Sequence, residues 1–206
     1  MFVEQLTWNV PSGGKESALR VLSMLHHHMD ASGGLIKSLT GCDTGGGSLV
    51  LSLTFWKSWE DLSRFLAGPK ASLLDEAQSV TGSQSIRPHH YEIVREWPSA
   101  EVDTVCGESH WMIHEFHASD DGSQALFDAL GQTVPRLGHE DGFRRAELWL
   151  DKNNSTHVVL ASQWSGDLEP DRRLVERLMA GGSGPGVSSC TTYKMRVSDP
   201  YHLGVA

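Results

Sequence analysis

The chain has 206 residues, 39% apolar and 21% charged, with 17 Lys and Arg against 26 Asp and Glu and a formal charge of -9. That length suits about two small domains with real cores. The composition excludes a disordered chain, and the acidic balance excludes nucleic acid and anionic lipid as partners.

Three cysteines, Cys42, Cys106 and Cys190, are too scattered for a disulfide framework or a Cys-rich zinc site. The opening MFVEQLTWNVPSGG has no basic or apolar leader region, and no apolar run approaches a membrane span, so a cytoplasmic protein is expected.

The first strand is FVEQLTWNV, rich in aromatic and β-favouring residues. A helix follows, capped by Ser12, striped by Ala18, Leu22, Leu25 and Met29, and stopped by Gly33-Gly34. Next comes a hairpin turning at Asp43-Thr44-Gly45-Gly46-Gly47, whose second strand is SLVLSLTFW. Ser58 caps a second helix carrying Leu62, Phe65 and Leu66, and HYEIVREW closes the unit. A polar, Pro-initiated linker, PSAEVDT, runs from Pro98 to Thr104.

The order then repeats: strand HWMIHEFHA, a helix capped by Ser119 or Asp120, a hairpin, a helix and the strand TTYKMRV. That first helix is striped by Ala125, Leu126, Ala129 and Leu130 and ended or kinked by Pro135. The hairpin turns at Asp151-Lys152-Asn153-Asn154, where residues tolerant of positive φ are expected. Its second strand, THVVLASQW, leads to a helix capped by Ser165 and carrying Leu174, Val175 and Leu178. The loop Gly181–Gly186 breaks that helix. GLIKSLTGCDTGGGSLVLSLTFW lies over GFRRAELWLDKNNSTHVVLASQW without a gap, matching Gly34 to Gly142, Asp43 to Asp151, Val50 to Val158 and Trp56 to Trp164. Each copy reads β-α-β-β-α-β, the ferredoxin-like unit. The expected fold class is therefore α+β, with two such domains, 1–98 and 104–206. A sheet covered by helices on one face only leaves the other to be covered, so the two sheets are expected to pack face to face as an intramolecular α/β barrel.

A strand ending in Trp-x-Ser (Trp56-Lys57-Ser58), matched by Trp164-Ser165-Gly166, then a helix and a last strand, resembles the antibiotic biosynthesis monooxygenase family of dimeric α/β-barrel proteins. Two-unit members of the family that cleave carbon–carbon bonds in angucycline-type polyketides have this layout. The resemblance implies a pocket between sheet and helices in each unit. Quinone-forming members carry an Asn four residues before this Trp and a Tyr on the preceding strand. Here Ser52 and Leu160 hold the first position, and Thr40 and Leu148 stand near the second. Haem-degrading members need a second Trp, whose place Phe65 takes, and a His that is missing between Trp56 and Ile86 and between Trp164 and Tyr201.

Among eleven His, His110 and His114 share a strand face but lie about 13 Å apart, and His117 points the other way. No metal site is expected. His114, flanked by Met112 and Phe116, is the candidate base, with the hydrogen-bonded core histidine as the alternative. His26-His27-His28 and His89-His90 are expected in solvated or capping roles, and His157 at a rim. Trp56 and Trp164 share faces with Ser52 and Thr54 and with Leu160 and Ser162, a mix suited to a flat, partly polar aromatic ligand. Packing of each Trp at a domain interface explains them equally well. The first strand of the second copy, with His110 and His114, reads as the wetter of the two.

The expected function is an oxygenase acting on a polycyclic aromatic phenol or hydroquinone, with dioxygen as co-substrate. Trp56, Trp164 and His114 would be catalytic, and Ser52, Thr54, Ser162, Leu160, Met112 and Phe116 would bind substrate. No tightly bound cofactor is expected, a diffusible reduced flavin being the one cofactor left room for, and a homodimer stays open. The alternatives are a non-oxidative cyclase or ligand-binding protein, and a haem binder.

Overall fold

The structure is a computed structural model describing residues 1–11, 13–31, 33–44, 48–68, 74–75, 78–79, 85–98, 109–119, 122–165 and 186–201. Its elements are β1 (Phe2–Asn9), α1 (Lys15–Ala31), β2 (Leu35–Asp43), β3 (Leu49–Trp56), α2 (Trp59–Ala67) and β4 (Ser85–Pro98), then β5 (Ser109–Ala118), α3 (Ser123–Leu137), β6 (Phe143–Asp151), β7 (His157–Ser165) and β8 (Val187–Tyr201). The class is α+β. Contacts divide the chain into two compact units, Met1–Glu92 with the chain end from Val197, and Ile93–Arg196. The division falls inside β4. The expected linker beyond Pro98 lies outside the described residues.

In the first unit β4 pairs with β1, β1 with β3 and β3 with β2, all antiparallel. In the second unit β8 pairs with β5, β5 with β7 and β7 with β6, again antiparallel. The order is the same in both. So is a fine detail: the register slips between Leu35 and Lys37 in β2 and at the matching place in β6, between Phe143 and Arg145. A one-residue bulge twists the strand locally, and both copies place it directly after their glycine.

That glycine has a physical reason. Gly34 and Gly142 have φ +82 and +83, which side-chain-bearing residues rarely adopt. Each carbonyl accepts from the residue after the anchor tryptophan, Lys57 N at 2.9 Å and Ser165 N at 2.8 Å.

The α1 stripe forms as expected: Ala18, Leu22, Leu25 and Met29 are all buried and pack with Leu6, Trp8, Val50 and Trp56. Ser58 caps α2, its side chain accepting from Asp61 N at 3.1 Å. Asp61 returns as acceptor of the Ser58 hydroxyl at 2.6 Å, and this bond holds its carboxyl below the usual range. Leu62 and Phe65 of α2 complete the core of the first unit.

Several expectations change. The N-cap of α3 is Gly122, with no side-chain cap, rather than Ser119; Asp120 lies outside the described residues. Ala125 is exposed, and the buried stripe is Leu126, Leu130, Val134 and Leu137. Pro135 sits inside the last turn, so the helix ends two residues later, at Leu137. The turn after Asp151 uses no positive φ at its non-glycine residues. Instead Asp151 Oδ1 accepts from Asn153 N (2.8 Å) and Asn154 N (3.2 Å). Strands β4 and β8 are longer than HYEIVREW and TTYKMRV. Ser165 is the last residue of β7, and the helix expected at Leu174–Leu178 lies outside the described residues, as does Ser12. Among the described residues no helix is long and apolar enough to cross a membrane.

At Gly142 a Cβ would overlap the Ser165 carbonyl oxygen, while Gly33 (φ +75) faces open space. Gly142→Ala should therefore destabilise the protein by about 2 kcal/mol or more, and Gly33→Ala by about 1 kcal/mol. Thermal melting of the two variants checks the order; equal shifts in Tm would contradict it.

Candidate active site

Period-two alternation sorts each strand into a helix-facing and an opposite side. In the first unit the register aligns Phe2 with Trp56, Glu4 with Thr54, Leu6 with Ser52 and Trp8 with Val50. The membership of Leu6, Trp8, Val50 and Trp56 in the α1/α2 core marks this as the helix-facing side. By the same logic His110, Met112, His114 and Phe116 face α3, opposite Trp164, Ser162, Leu160 and Val158.

Trp56 and Trp164 are fully buried. Each indole N–H donates to the hydroxyl two residues back on its own strand, Thr54 Oγ1 and Ser162 Oγ, both at 2.9 Å. The Trp56 ring stacks on Phe65 of α2 at 5.4 Å, and the Trp164 ring meets Phe143 edge-on at 5.2 Å. Both rings thus pack within their own units.

The helix-facing side of the first unit is the polar one. Glu4, Ser38, Thr40, Ser52 and Thr54 are buried there, and Thr40 lies opposite Ser52. The Thr40 hydroxyl has no hydrogen-bond partner among the described residues. Helix α1 adds His26, buried, with Nε2 3.5 Å from Ser52 Oγ. From β4, His90 places Nε2 3.4 Å from Glu4 Oε1; the histidine side chain is 16% exposed and the glutamate 0%. The His90 ring stands at 76° to Trp59 at 5.9 Å, and Trp59 meets Phe2 at 5.8 Å. Trp59 and Phe2 are both only half-buried.

The matching surface of the second unit is more apolar. Ala146, Leu148 and Leu160 replace Ser38, Thr40 and Ser52. Met112 and Lys194 pair across β5 and β8 where Glu4 and His90 pair across β1 and β4. His114 is fully buried with Nδ1 2.9 Å from Thr192 Oγ1 and its ring 6.3 Å from Phe116. The first strand of the second copy does carry His110 and His114 on this side, but the strands beside it are the more apolar.

Three histidines depart from their expected roles. His26 is buried on Ser52 rather than solvated, and His90 is paired with Glu4. His157 begins β7 but is buried, not at a rim, with Nδ1 3.1 Å from Asp151 Oδ2. His117, on the opposite face as expected, stacks on it at 4.4 Å. His28 is exposed, and the side chain of His27 lies outside the description. Cys42 and Cys190 are free thiols, burial raising the pKa of the former, while Cys106 lies outside the described residues.

No family model matches the chain, and no curated protein matches it in sequence. Solved structures do. An anthrone oxidase-like protein superposes with TM-score 0.73 at 18% identity, over 98% of this chain and 93% of its own. The likeness is one of fold. A protein assigned as a monooxygenase from Fusobacterium nucleatum gives 0.72 at 8% identity, over 98% and 94%. Another so assigned, from Lactobacillus acidophilus, gives 0.68 at 10%, over 97% and 95%.

Burial holds His157 below the ordinary imidazole value, more than its hydrogen bond to Asp151 raises it. The unfolded chain therefore takes up this proton first as pH falls, so stability is intact above about pH 6.5 and lost below it. Urea unfolding at a series of pH values should show a shallower acid-side loss for His157→Asn than for the parent chain. An unchanged slope would count against the assignment.

Proposed function

We propose that the protein is an oxygenase for a polycyclic aromatic phenol or hydroquinone, bound in the layer between sheet and helices of the first unit. The observation that carries this reading is the row of buried hydroxyls Ser38, Thr40, Ser52 and Thr54 beneath α1. An unsatisfied buried hydroxyl costs about 1–3 kcal/mol, and Thr40 has no hydrogen-bond partner among the described residues. A ligand with phenol or carbonyl oxygens would satisfy such groups while its rings take the aromatic contacts. The names of the anthrone oxidase-like and monooxygenase neighbours support oxygenase chemistry in general.

The chemistry asks little of the protein. A deprotonated electron-rich ring passes one electron to dioxygen, and the radical pair recombines to a peroxide. Where a CH2 carbon is attacked, its two hydrogens leave as water with one oxygen atom, and the other oxygen stays as the new carbonyl. A hydroquinone instead yields the quinone and hydrogen peroxide. The protein binds, removes the proton and keeps water out. Ser52 and Thr54 orient the substrate. Trp56 holds the Thr54 hydroxyl in place through its indole N–H. In the second unit His110, His114 and Ser162 share this side with Met112, Phe116, Leu160 and Trp164 in a more apolar layer.

Oxygen uptake with anthrone, naphthol and hydroquinone substrates, with and without added reduced flavin, tests the reading. Uptake without flavin is expected. Tryptophan quenching by the same compounds with no oxygen loss would instead indicate a non-oxidative binding protein.

A further inference from the structure

We propose that Glu4 and His90 form the proton-accepting pair of this chain, His90 as the base and Glu4 as the carboxylate that positions it. The proposal rests on the oxygenase reading and names the group that activates the substrate.

The geometry separates the two roles. Glu4 is wholly enclosed on β1, whereas the His90 side chain, from the adjacent β4, is 16% exposed. A substrate can reach the imidazole but not the carboxylate. Nε2 is the nitrogen nearest Glu4, at 3.4 Å from Oε1. That nitrogen has no hydrogen-bond partner among the described residues, and a tautomer with its proton there leaves Nδ1 with its lone pair free to accept. Histidine–carboxylate contacts of unliganded sites are often long and close up around the substrate. Beside His90 stand the half-buried rings of Trp59 and Phe2, which supply aromatic surface where a planar substrate would arrive.

In the proposed step the substrate O–H or C–H bond breaks, its electron pair stays on the substrate, and the proton passes to His90 Nδ1. The anion reduces dioxygen, and the same proton is returned to the peroxide oxygen that forms. The second unit lacks the pair, with Met112 and Lys194 in the corresponding positions. His114 is fully buried and its Nδ1 is engaged by Thr192 at 2.9 Å. The working copy is therefore the first.

The experiment compares oxygen uptake on 1,8-dihydroxyanthrone by the full chain and by the variants His90→Asn, Glu4→Gln, His114→Asn and Lys194→Met. Binding of 1,8-dihydroxyanthraquinone, which has no proton to lose at the reacting carbon, is followed alongside by tryptophan quenching. His90→Asn and Glu4→Gln should lower turnover by about 100-fold or more while leaving the quinone affinity near that of the parent, and Lys194→Met should do neither. The loss should shrink with a more acidic substrate that is already ionised at the assay pH. A merely structural pair would not produce that rescue. Full turnover in His90→Asn, or a loss confined to His114→Asn, would overturn the assignment and leave the oxygenase reading standing. No uptake by the parent chain on any substrate would overturn both.

Discussion

Burying a tryptophan costs free energy where its N–H finds no acceptor. In both units the acceptor is the hydroxyl two residues earlier on the same strand, at 2.9 Å. The alternation of a strand puts residues two apart on one face, so the bond needs no residue outside its own strand. The ring is then fixed as a platform. In the first unit Phe65 stacks on it and brings α2 with it, in a geometry worth about 0.5–1.5 kcal/mol beyond the area buried. The N-cap Ser58 sits two residues past the ring, and the positive-φ Gly34 bonds to the residue between them. Strand end, helix start and neighbouring strand are thus tied to one side chain.

This anchor explains one hydroxyl on each helix-facing surface. It does not explain the others. In the second unit Ala146, Leu148, Leu160 and Met112 are buried at that level beside the polar His114. In the first unit Ser38, Thr40, Ser52, His26 and Glu4 remain, and a core built only for stability would not keep them. The two units serve as each other's control, since their strand order, bulge position and glycine conformation coincide.

The architecture was readable because it rests on signals of short range. The stripe Ala18, Leu22, Leu25 and Met29, the cap at Ser58, the paired glycines and the gapless match between copies each depend on a few neighbouring residues, and each holds. The site was less readable because it depends on pairing across strands. His90 looked like a residue at a strand's mouth, but β4 begins at Ser85, which places it inside the sheet opposite Glu4. Glu4 carried a signal that was available: it alternates with Phe2, Leu6 and Trp8, so a carboxylate stood on a face of large apolar groups. His26 was similar. One step from Leu25 on a helix, it falls at the edge of the buried stripe rather than off it. The α3 cap failed for the opposite reason, since Ser119 offered suitable chemistry three residues ahead of the position the backbone uses.

The exchange of Glu4 and His90 for Met112 and Lys194 has a genetic consequence. In an assembly of identical subunits every substitution appears twice, so a residue that helps chemistry in one copy must be tolerated in the other. Encoding both copies in a single reading frame removes that constraint. One half can drift toward oily, tightly packed stability while its twin keeps acid–base groups that weaken a core, and selection can act on each without dragging the other along.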